Sequence, residues 1–103
     1  MAVALFVVRA TISSEKEAEW NRWYDEEHVP QLLEYHGAVS ARRYRSLSSD
    51  ESFQYMAVYE FRDEDTLRRF LSSDHLKALV ADYDAKFGAS SERKRESWIQ
   101  IFP

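Results

Sequence analysis

The hydrophobic positions along this chain change their spacing several times, and each spacing predicts one kind of secondary structure. Four runs rich in Val, Ile, Phe, Tyr and Trp alternate at a period of two or are apolar throughout, which predicts strands. The first run is apolar at odd and even positions alike except at Arg9, as in a strand that is buried on both faces. The four predicted strands are residues 2–10, 38–45, 53–61 and 96–102.

Between the first two strands, apolar residues recur at every third or fourth position and predict a helix. This helix begins near Glu15, because Ser14 and Glu17 match the capping-box pattern, and Gly37 is placed to end it. Pro30 lacks the N–H that a helix interior needs, so we expect the helix to break there. The helix then either resumes after the proline or ends at it.

A second helical segment follows the third strand. It begins at the acidic residues 63–65, which the positive end of a helix favours, and residues 72–74 mark a break with a fresh cap. Gly88 ends the segment, and residues 89–95 are predicted to be a charged connector. The order β-α-β-β-α-β predicts a ferredoxin-like α+β sandwich: one domain over residues 1–103, with two helices on one face of a four-stranded antiparallel sheet.

Two helices cover only one face of such a sheet, yet both faces are predicted to be apolar. Strands one, three and four carry aliphatic or aromatic residues on both sides. An uncovered face of that kind exceeds the few hundred Å² of apolar patch that is usual for a monomer. Burying about 600 Å² of it at about 25 cal/mol per Å² gains roughly 15 kcal/mol before association costs. We therefore expect a two-fold homodimer that packs sheet against sheet.

Composition narrows the classes of function. The formal net charge is −4, and an acidic domain gains little from the counterion release that drives nucleic-acid binding. The chain has no cysteine, which excludes disulfides and zinc–thiolate sites. Its longest apolar run, residues 2–8, is too short to span a bilayer and lacks the flanks of a secretory signal. We therefore expect a cytoplasmic protein with neither nucleic acid nor membrane as a partner.

The RNA-recognition motif has the same element order and is a remote alternative. Residues 5–7 resemble the start of its first signature. Residues 53–58 keep only Tyr55 and Val58 of its second signature, without the basic start or the glycine. These departures, together with the acidic charge, disfavour RNA binding.

The candidate chemistry lies in the first helix. Trp20, Tyr24 and His28 follow one another at four-residue spacing, which places them on one core-facing stripe with Trp23 beside them. An imidazole has a pKa near ~6.5 when unperturbed and can serve as a general acid or base. The alternative is a structural histidine that is held by hydrogen bonds. His28 and Tyr24 are therefore candidate catalytic residues.

The second strand offers two further candidates, Arg42 and Tyr44, which share one face. Arg43 lies on the opposite face, and the sequence leaves open which face lines the cleft. We favour the face of Arg42 and Tyr44, where the arginine holds an anionic oxygen and the tyrosine orients the substrate. The alternative is that the arginines of this strand protect a sheet edge and pair with the excess acids. Five aromatic residues are predicted to line the same cleft and bind substrate: Trp20, Trp23, Tyr59, Tyr83 and Trp98.

We expect no metal and no cofactor. The three histidines match no metal-ligand spacing, and both glycines are assigned to helix ends, which leaves none for a phosphate-binding loop. Haem stays open as an exception, because one histidine suffices as its proximal ligand.

The run W-x-x-W-Y-x-x-x-H-x-P at residues 20–30, followed by Gly37 and by Arg43-Tyr44, resembles the dimeric α+β barrel superfamily, as do the topology and the length. The chain is similar to its small single-domain members near the EthD-like and antibiotic-biosynthesis-monooxygenase groups. The resemblance implies a homodimer whose sheets close a barrel, with a small cleft between helices and sheet in each subunit. Members include cofactor-free monooxygenases, polyketide cyclases, lactone isomerases and haem-dependent relatives, so the fold does not determine the function.

These observations lead to one functional hypothesis and one alternative. The hypothesis is cofactor-free acid–base chemistry on a small aromatic or polyketide-like organic acid or phenol, by an isomerase, a cyclase or a monooxygenase. In it His28 moves the proton, Tyr24 and Tyr44 orient or polarise the substrate, and Arg42 holds an anionic oxygen. The alternative is a non-catalytic or stress-related homodimer that binds a small ligand, so the sequence leaves open whether the protein is an enzyme.

Overall fold

A four-stranded antiparallel sheet carries the helices on one of its faces. The computed structural model describes residues 2–103. The strands are β1 (Ala4–Ala10), β2 (Ala38–Arg45), β3 (Tyr55–Phe61) and β4 (Arg93–Ile99), and the helices are α1 (Glu17–Trp23), α2 (Val29–Leu33), α3 (Glu64–Leu71) and α4 (Asp74–Phe87). The strand order is β2-β3-β1-β4, and every neighbouring pair is antiparallel. The predicted ferredoxin-like α+β fold is confirmed. Within residues 2–103, no helix combines the length and the apolar character that crossing a membrane requires.

The core lies between this sheet and the helices and is mainly aromatic. The inward positions of β1 and β3 are buried against the core-facing stripes of α1, α3 and α4. Aromatic side chains dominate because those stripes and inward positions are rich in Trp, Tyr and Phe. The largest fully buried side chains are Trp20, Tyr24, Tyr59, Tyr83, Phe61 and Phe70.

The first helical segment is continuous, so the break predicted at the proline was wrong. α1 passes into a π-helical turn at Tyr24–His28 and then into α2. In this turn the N–H of Val29 donates to the carbonyl of Tyr24, five residues earlier. A wider turn suits Pro30, which has no N–H to donate and lies in the first turn of α2.

The observed helix caps match the predicted ones in the second half of the chain but not in the first. The predicted capping box of Ser14 and Glu17 does not form, because Lys16 occupies the N-cap position and makes no side-chain cap. The side chains of Asp63 and Ser73 do cap α3 and α4, each accepting a hydrogen bond from a backbone N–H three residues later.

Gly37, which was predicted to end the first helical segment, lies beyond its end: α2 stops at Leu33 with Glu34 as its C-cap, and Gly37 belongs to the turn that leads into β2. Its φ is +99°, a conformation that residues with a side chain rarely adopt. A Cβ at this position would also collide with the methyl group of Thr66. Glycine is therefore needed for the chain to turn from α2 into β2.

The last strand lies three residues earlier than predicted. β4 begins at Arg93, which pairs with Ala10 of β1. Residues 93–95, which were predicted to be connector, are strand, and charge is tolerated there because β4 is an edge strand. Ile101 and Phe102, which were predicted to be strand, follow β4 and are exposed.

The face of the sheet away from the helices, which we call the open face, is less apolar than predicted. Its apolar side chains are Leu5, Val7, Met56, Val58 and Trp98. Its charged side chains are Arg9, Arg42, Glu60, Lys94 and Glu96. One ion pair on this face joins Arg9 to Glu96 at 3.3 Å. A partner sheet would therefore meet an apolar centre with charged groups around it.

Candidate functional site

The π-helical turn places His28 in the core, as its helical spacing predicts. The residue is 5% exposed. Its imidazole stacks on the indole of Trp23, with ring centroids 4.7 Å apart, and meets the ring of Tyr24 edge-on at 4.9 Å. The ring of Tyr83, from α4, lies 5.8 Å away. Three aromatic rings therefore surround the imidazole.

Three buried polar atoms in this region have no hydrogen-bond partner within residues 2–103: Trp23 Nε1, His28 Nδ1 and the Tyr59 hydroxyl oxygen. Leaving a buried polar group unpaired costs roughly 1–3 kcal/mol, and most native groups avoid it. At Nδ1, His28 therefore lacks the hydrogen bond that a purely structural histidine is expected to make. A ligand with matching polar atoms would satisfy these groups.

A cavity of about 10 Å³, which is room for about one water molecule, is lined by His28 and Tyr59 but not by Trp23. Its polar lining residues are His28, Tyr59, Arg93 and Arg95, and the others are aliphatic or aromatic. We call it the His28 cavity. Leu76 and Val80 of α4 form part of its wall, so a larger ligand enters only if such side chains move.

A larger depression of about 770 Å³ lies away from His28, lined by residues 11–13, 49, 51, 52, 54 and 88–92. Its ionisable lining residues are Glu51 and Glu92, and the rest are mainly serine and other small residues. Its lining contains no aromatic ring and no histidine, so the candidate chemistry belongs to the smaller cavity.

Burial governs protonation in the His28 cavity. Removal from water, reinforced by the charge of Arg93, lowers the pKa of His28 to about 4, so the imidazole is neutral at pH 7. Burial raises the pKa of Tyr24 to about 12 and holds the pKa of Tyr59 well above its ordinary value. The two hydroxyls make no hydrogen bond of normal geometry, but they lie close enough for Tyr24 to raise the pKa of Tyr59 further and for Tyr59 to oppose the rise at Tyr24. Both phenols therefore keep their protons and can donate hydrogen bonds.

Most of the predicted site residues lie together in this region: Trp20, Trp23, Tyr24, His28, Tyr59 and Tyr83. Trp20 donates from Nε1 to the hydroxyl of Tyr83 at 2.9 Å, and that hydroxyl lies 2.6 Å from the hydroxyl of Ser91. These two aromatic residues therefore form a hydrogen-bonded wall behind His28. Their direct contact with substrate stays a prediction.

The prediction that Arg42, Tyr44 and Trp98 line the cleft was wrong, because all three lie on the open face. Their cross-strand partners are Val58, Met56 and Leu5, which belong to that face. A register irregularity between Ala38 and Ser40 sets which side chains of β2 face the helices. The pattern of residue types in β2 does not reveal this irregularity.

Arg43, rather than Arg42, faces the helices. Its guanidinium donates to Asn21 Oδ1 at 2.7 Å and to an Asp25 carboxylate oxygen at 2.6 Å. It also lies 4.4 Å from the ring centre of Tyr24, within the range of a cation–π interaction. Arg43 therefore ties β2 to the π-helical turn and pairs one of the acids that the turn carries.

Sequence reasoning also missed Arg93 and Arg95. Both face the helices, because their partners in the β1–β4 register are Ala10 and Val8. The available signal was that Arg93 and Arg95 are two residues apart with Lys94 between them, so that in a strand that begins at residue 93 the two arginines share one face and Lys94 lies on the other. The apolar residues after Ser97 drew the predicted strand too far along the chain.

Sequence comparison assigns the chain to a family. Residues 3–99 match the family described as a domain of unknown function, DUF4286. The chain belongs to this family. The DUF4286 description names no reaction, and no curated protein sequence matches the chain.

Solved structures share the fold of this DUF4286 protein over almost its whole length. An EthD-family protein from Bacillus halodurans C-125 is 19% identical, with a TM-score of 0.67 and 93% of this chain and 97% of that chain covered. A DABB-family protein with a ferredoxin-like fold from Mesorhizobium loti is 15% identical, with a TM-score of 0.72 and coverages of 99% and 100%. SnoaB, a cofactor-independent oxygenase from Streptomyces nogalater, is 18% identical, with a TM-score of 0.66 and coverages of 100% and 97%. At these identities the similarity shows the fold alone, and at that level the predicted resemblance is confirmed.

Proposed function

We propose that this DUF4286 protein is a homodimeric enzyme that acts on a small aromatic or polyketide-like organic acid or phenol by cofactor-free acid–base chemistry. One observation carries the proposal: the unpartnered Nδ1 atom of His28 and the unpartnered hydroxyl of Tyr59 belong to one buried cavity. A base and a hydrogen-bond donor that share a small space suit the removal of a proton next to a carbonyl group.

In this proposal, Nδ1 of neutral His28 takes a proton from a carbon next to a carbonyl. The electron pair of the broken C–H bond moves onto the carbonyl oxygen and gives an enolate, to which the Tyr59 hydroxyl donates a hydrogen bond. Return of the proton at another carbon gives isomerisation. Attack of the enolate carbon on a second carbonyl gives cyclisation, and the alkoxide so formed takes the proton back from His28. Reaction of the enolate carbon with O₂ gives a peroxide that takes this proton, and loss of water from the hydroperoxide leaves a new carbonyl group, so that one oxygen atom stays in the product and the other leaves as water.

The low pKa of His28 fits this chemistry only when negative charge develops beside it. A base with a pKa of about 4 is weak at pH 7. A nearby enolate raises the pKa of the imidazole, because an opposite charge favours the protonated form. Base strength therefore increases as the reaction proceeds.

Two further observations support this reading. The π-helical turn lies directly at His28, and single π-helical turns within helices are frequent at functional sites. SnoaB, which has the same fold, is described as a cofactor-independent oxygenase. Together they favour a reaction that depends on the protein's own side chains.

The homodimer is proposed from the open face. Two large aromatic side chains there are exposed, Trp98 at 57% and Tyr44 at 47%. Packing the open faces of two copies about a two-fold axis covers both residues and the apolar centre between them.

The test follows proton exchange at carbon. Phenylpyruvate, an aromatic 2-keto acid, is incubated with the protein in D₂O, and NMR measures the loss of its C3–H signal. We expect wild-type protein to accelerate exchange and His28→Gln to abolish the acceleration without changing the sedimentation coefficient. His36→Gln is the matched control, because it makes the same substitution at an exposed histidine. Equal exchange by the two variants, or no acceleration by wild type, contradicts the catalytic proposal.

Binding of a small ligand without catalysis is the second candidate function. The pKa of about 4 favours it, because a permanently neutral imidazole is a better hydrogen-bond acceptor than base. This second function is identified if phenylpyruvate binds, if His28→Gln weakens that binding, and if the wild-type protein does not accelerate proton exchange.

A further inference from the structure

Two guanidinium groups line the sheet side of the His28 cavity. The β1–β4 register places Arg95 opposite Val8 and Arg93 opposite Ala10, so both side chains project from β4 toward the helices. Inward positions of a strand usually carry apolar residues. Charge is tolerated at these two positions because β4 is an edge strand, and what distinguishes both arginines is the cavity that they line.

The two arginines differ in how they are held. Arg93 makes an ion pair with Asp84 at 3.2 Å and lies 3.7 Å from the ring centre of Tyr83. Arg95 makes no ion pair and no side-chain hydrogen bond within residues 2–103, although it lines the same cavity. The guanidinium of Arg93 is therefore engaged by neighbours, whereas Arg95 is exposed and its guanidinium is free to bind a ligand at the cavity.

The charged residues that line the cavity are both basic, although the chain is acidic as a whole and Asp84, outside the lining, pairs with Arg93. The chain has 18 acidic and 14 basic residues, yet the residues lining this cavity include two arginines and no acid. Guanidinium groups match carboxylate geometry and can bind it with two parallel hydrogen bonds. The charge and the geometry both favour an anion.

We propose that Arg95 is the anion-binding group of the His28 cavity, so that the ligand is an organic anion whose carboxylate or enolate oxygen binds Arg95. The apolar body of the ligand then packs against Phe6 and Val8, and its other polar atoms meet His28 Nδ1 and the Tyr59 hydroxyl. This inference rests on the proposed function in one respect, that the ligand occupies this cavity. It assigns to Arg95 the role that the sequence suggested for Arg42.

The test compares two probes of one shape, benzoate and its neutral isostere benzamide. Binding is followed by NMR titration of the tryptophan indole N–H signals at constant ionic strength. We expect benzoate to shift the signal of Trp23, which reports on the cavity because its ring stacks on His28. The signal of Trp98, which reports on the open face, should stay unchanged. Benzoate should bind wild-type protein about tenfold more tightly than benzamide, as a charge-assisted hydrogen bond implies.

Arg95→Gln should remove this preference by weakening benzoate about tenfold and leaving benzamide unchanged. Lys94→Gln is the matched control, because it removes the same charge from the adjacent residue. Lys94 lies opposite Arg9 in the strand register, so its side chain is on the open face. Leu76→Ala shortens a side chain of the cavity wall and is titrated alongside, so that a closed cavity does not hide the site.

Each outcome decides the proposal. Loss of the benzoate preference in Arg95→Gln alone supports it, even if phenylpyruvate exchange is never accelerated, because binding and turnover are measured separately. Equal effects of Arg95→Gln and Lys94→Gln overturn it, as does benzoate that fails to bind both wild type and Leu76→Ala. Self-association of Arg95→Gln without a change in binding overturns it too, and makes Arg95 a residue that protects the β4 edge.

Discussion

The imidazole of His28 lies against the indole of Trp23, with ring centroids 4.7 Å apart and planes inclined by 24°. This stacking excludes water from one face of the imidazole, while Nδ1 of the histidine and Nε1 of the tryptophan both remain unpaired. A charged imidazole in this place would lose its hydration without gaining a partner. Folding and the protonation of His28 are therefore coupled.

This coupling predicts how stability depends on pH. In the unfolded chain the pKa of His28 is about 6.5, and in the folded protein burial and the charge of Arg93 lower it to about 4. Between these values the unfolded state binds more protons, so the free energy of unfolding falls as pH is lowered through this window. The complete effect is roughly 3 kcal/mol, and above about pH 6.5 it is fully present as stability.

Urea unfolding at about pH 7.5 and about pH 4.5 measures this effect at fixed protein concentration. Wild type should lose about 2–3 kcal/mol more than His28→Gln on acidification, since the variant lacks the titrating group. Groups that titrate elsewhere contribute to both proteins and cancel in the comparison. Equal losses in the two proteins would show that burial does not suppress the charge of His28.

Removal of the Tyr83 hydroxyl and removal of the Tyr59 hydroxyl should have different effects on the stability of the protein. Tyr83→Phe leaves the buried N–H of Trp20 without its acceptor and should destabilise the protein by roughly 1–3 kcal/mol. Tyr59→Phe removes a hydroxyl that lies near the hydroxyl of Tyr24 but makes no hydrogen bond of normal geometry within residues 2–103, so stability should stay the same or rise. Chemical denaturation of the two variants measures both effects. A destabilised Tyr59→Phe protein would mean that its hydroxyl is satisfied, and the cavity would lose one of its functional groups.

Two adjacent arginines on β2 provide a test of the strand register. Arg43→Ala removes hydrogen bonds to Asn21 and Asp25 and a cation–π contact with Tyr24, and should destabilise by roughly 1–3 kcal/mol. Arg42→Ala, on the open face, should change the stability of the subunit by less than about 0.5 kcal/mol. Thermal and urea unfolding distinguish the two. The reverse ranking would mean that the other face of β2 packs on the helices.

The element order and the core-facing stripe of the first helix could be predicted because they depend on local periodicity. Spacing alone places Tyr24 and His28 on the stripe that begins at Trp20, and the side-chain caps of α3 and α4 follow from residues next to them in the sequence. The same locality explains why Gly88 was assigned correctly as the end of α4, since a C-cap is set within one turn.

The remaining features depend on pairing between distant strands. The face to which Arg42 and Tyr44 belong is set by an irregularity in the β2–β3 register, and one such shift exchanges the two sides of a strand. The start of β4 is set by its pairing with β1, which outweighs the apolar residues that follow the strand. Arg95 was missed for this reason. The π-helical turn was missed because a proline at that place is compatible with either a break or a wider turn.

The last prediction concerns the proposed dimer. Val58 pairs with Val7 on the two central strands, so its side chain lies in the middle of the open face. Val58→Glu places a carboxylate there, and burying it between two sheets without a partner costs several kcal/mol. Sedimentation velocity should therefore show a dimer for wild type and a monomer for Val58→Glu, with the circular dichroism of the subunit preserved. Val39→Glu is the matched control, because Val39 is exposed at the register irregularity of β2, at the edge of the sheet. Either a wild-type monomer or a Val58→Glu protein that still dimerises would show that the open face is not the interface.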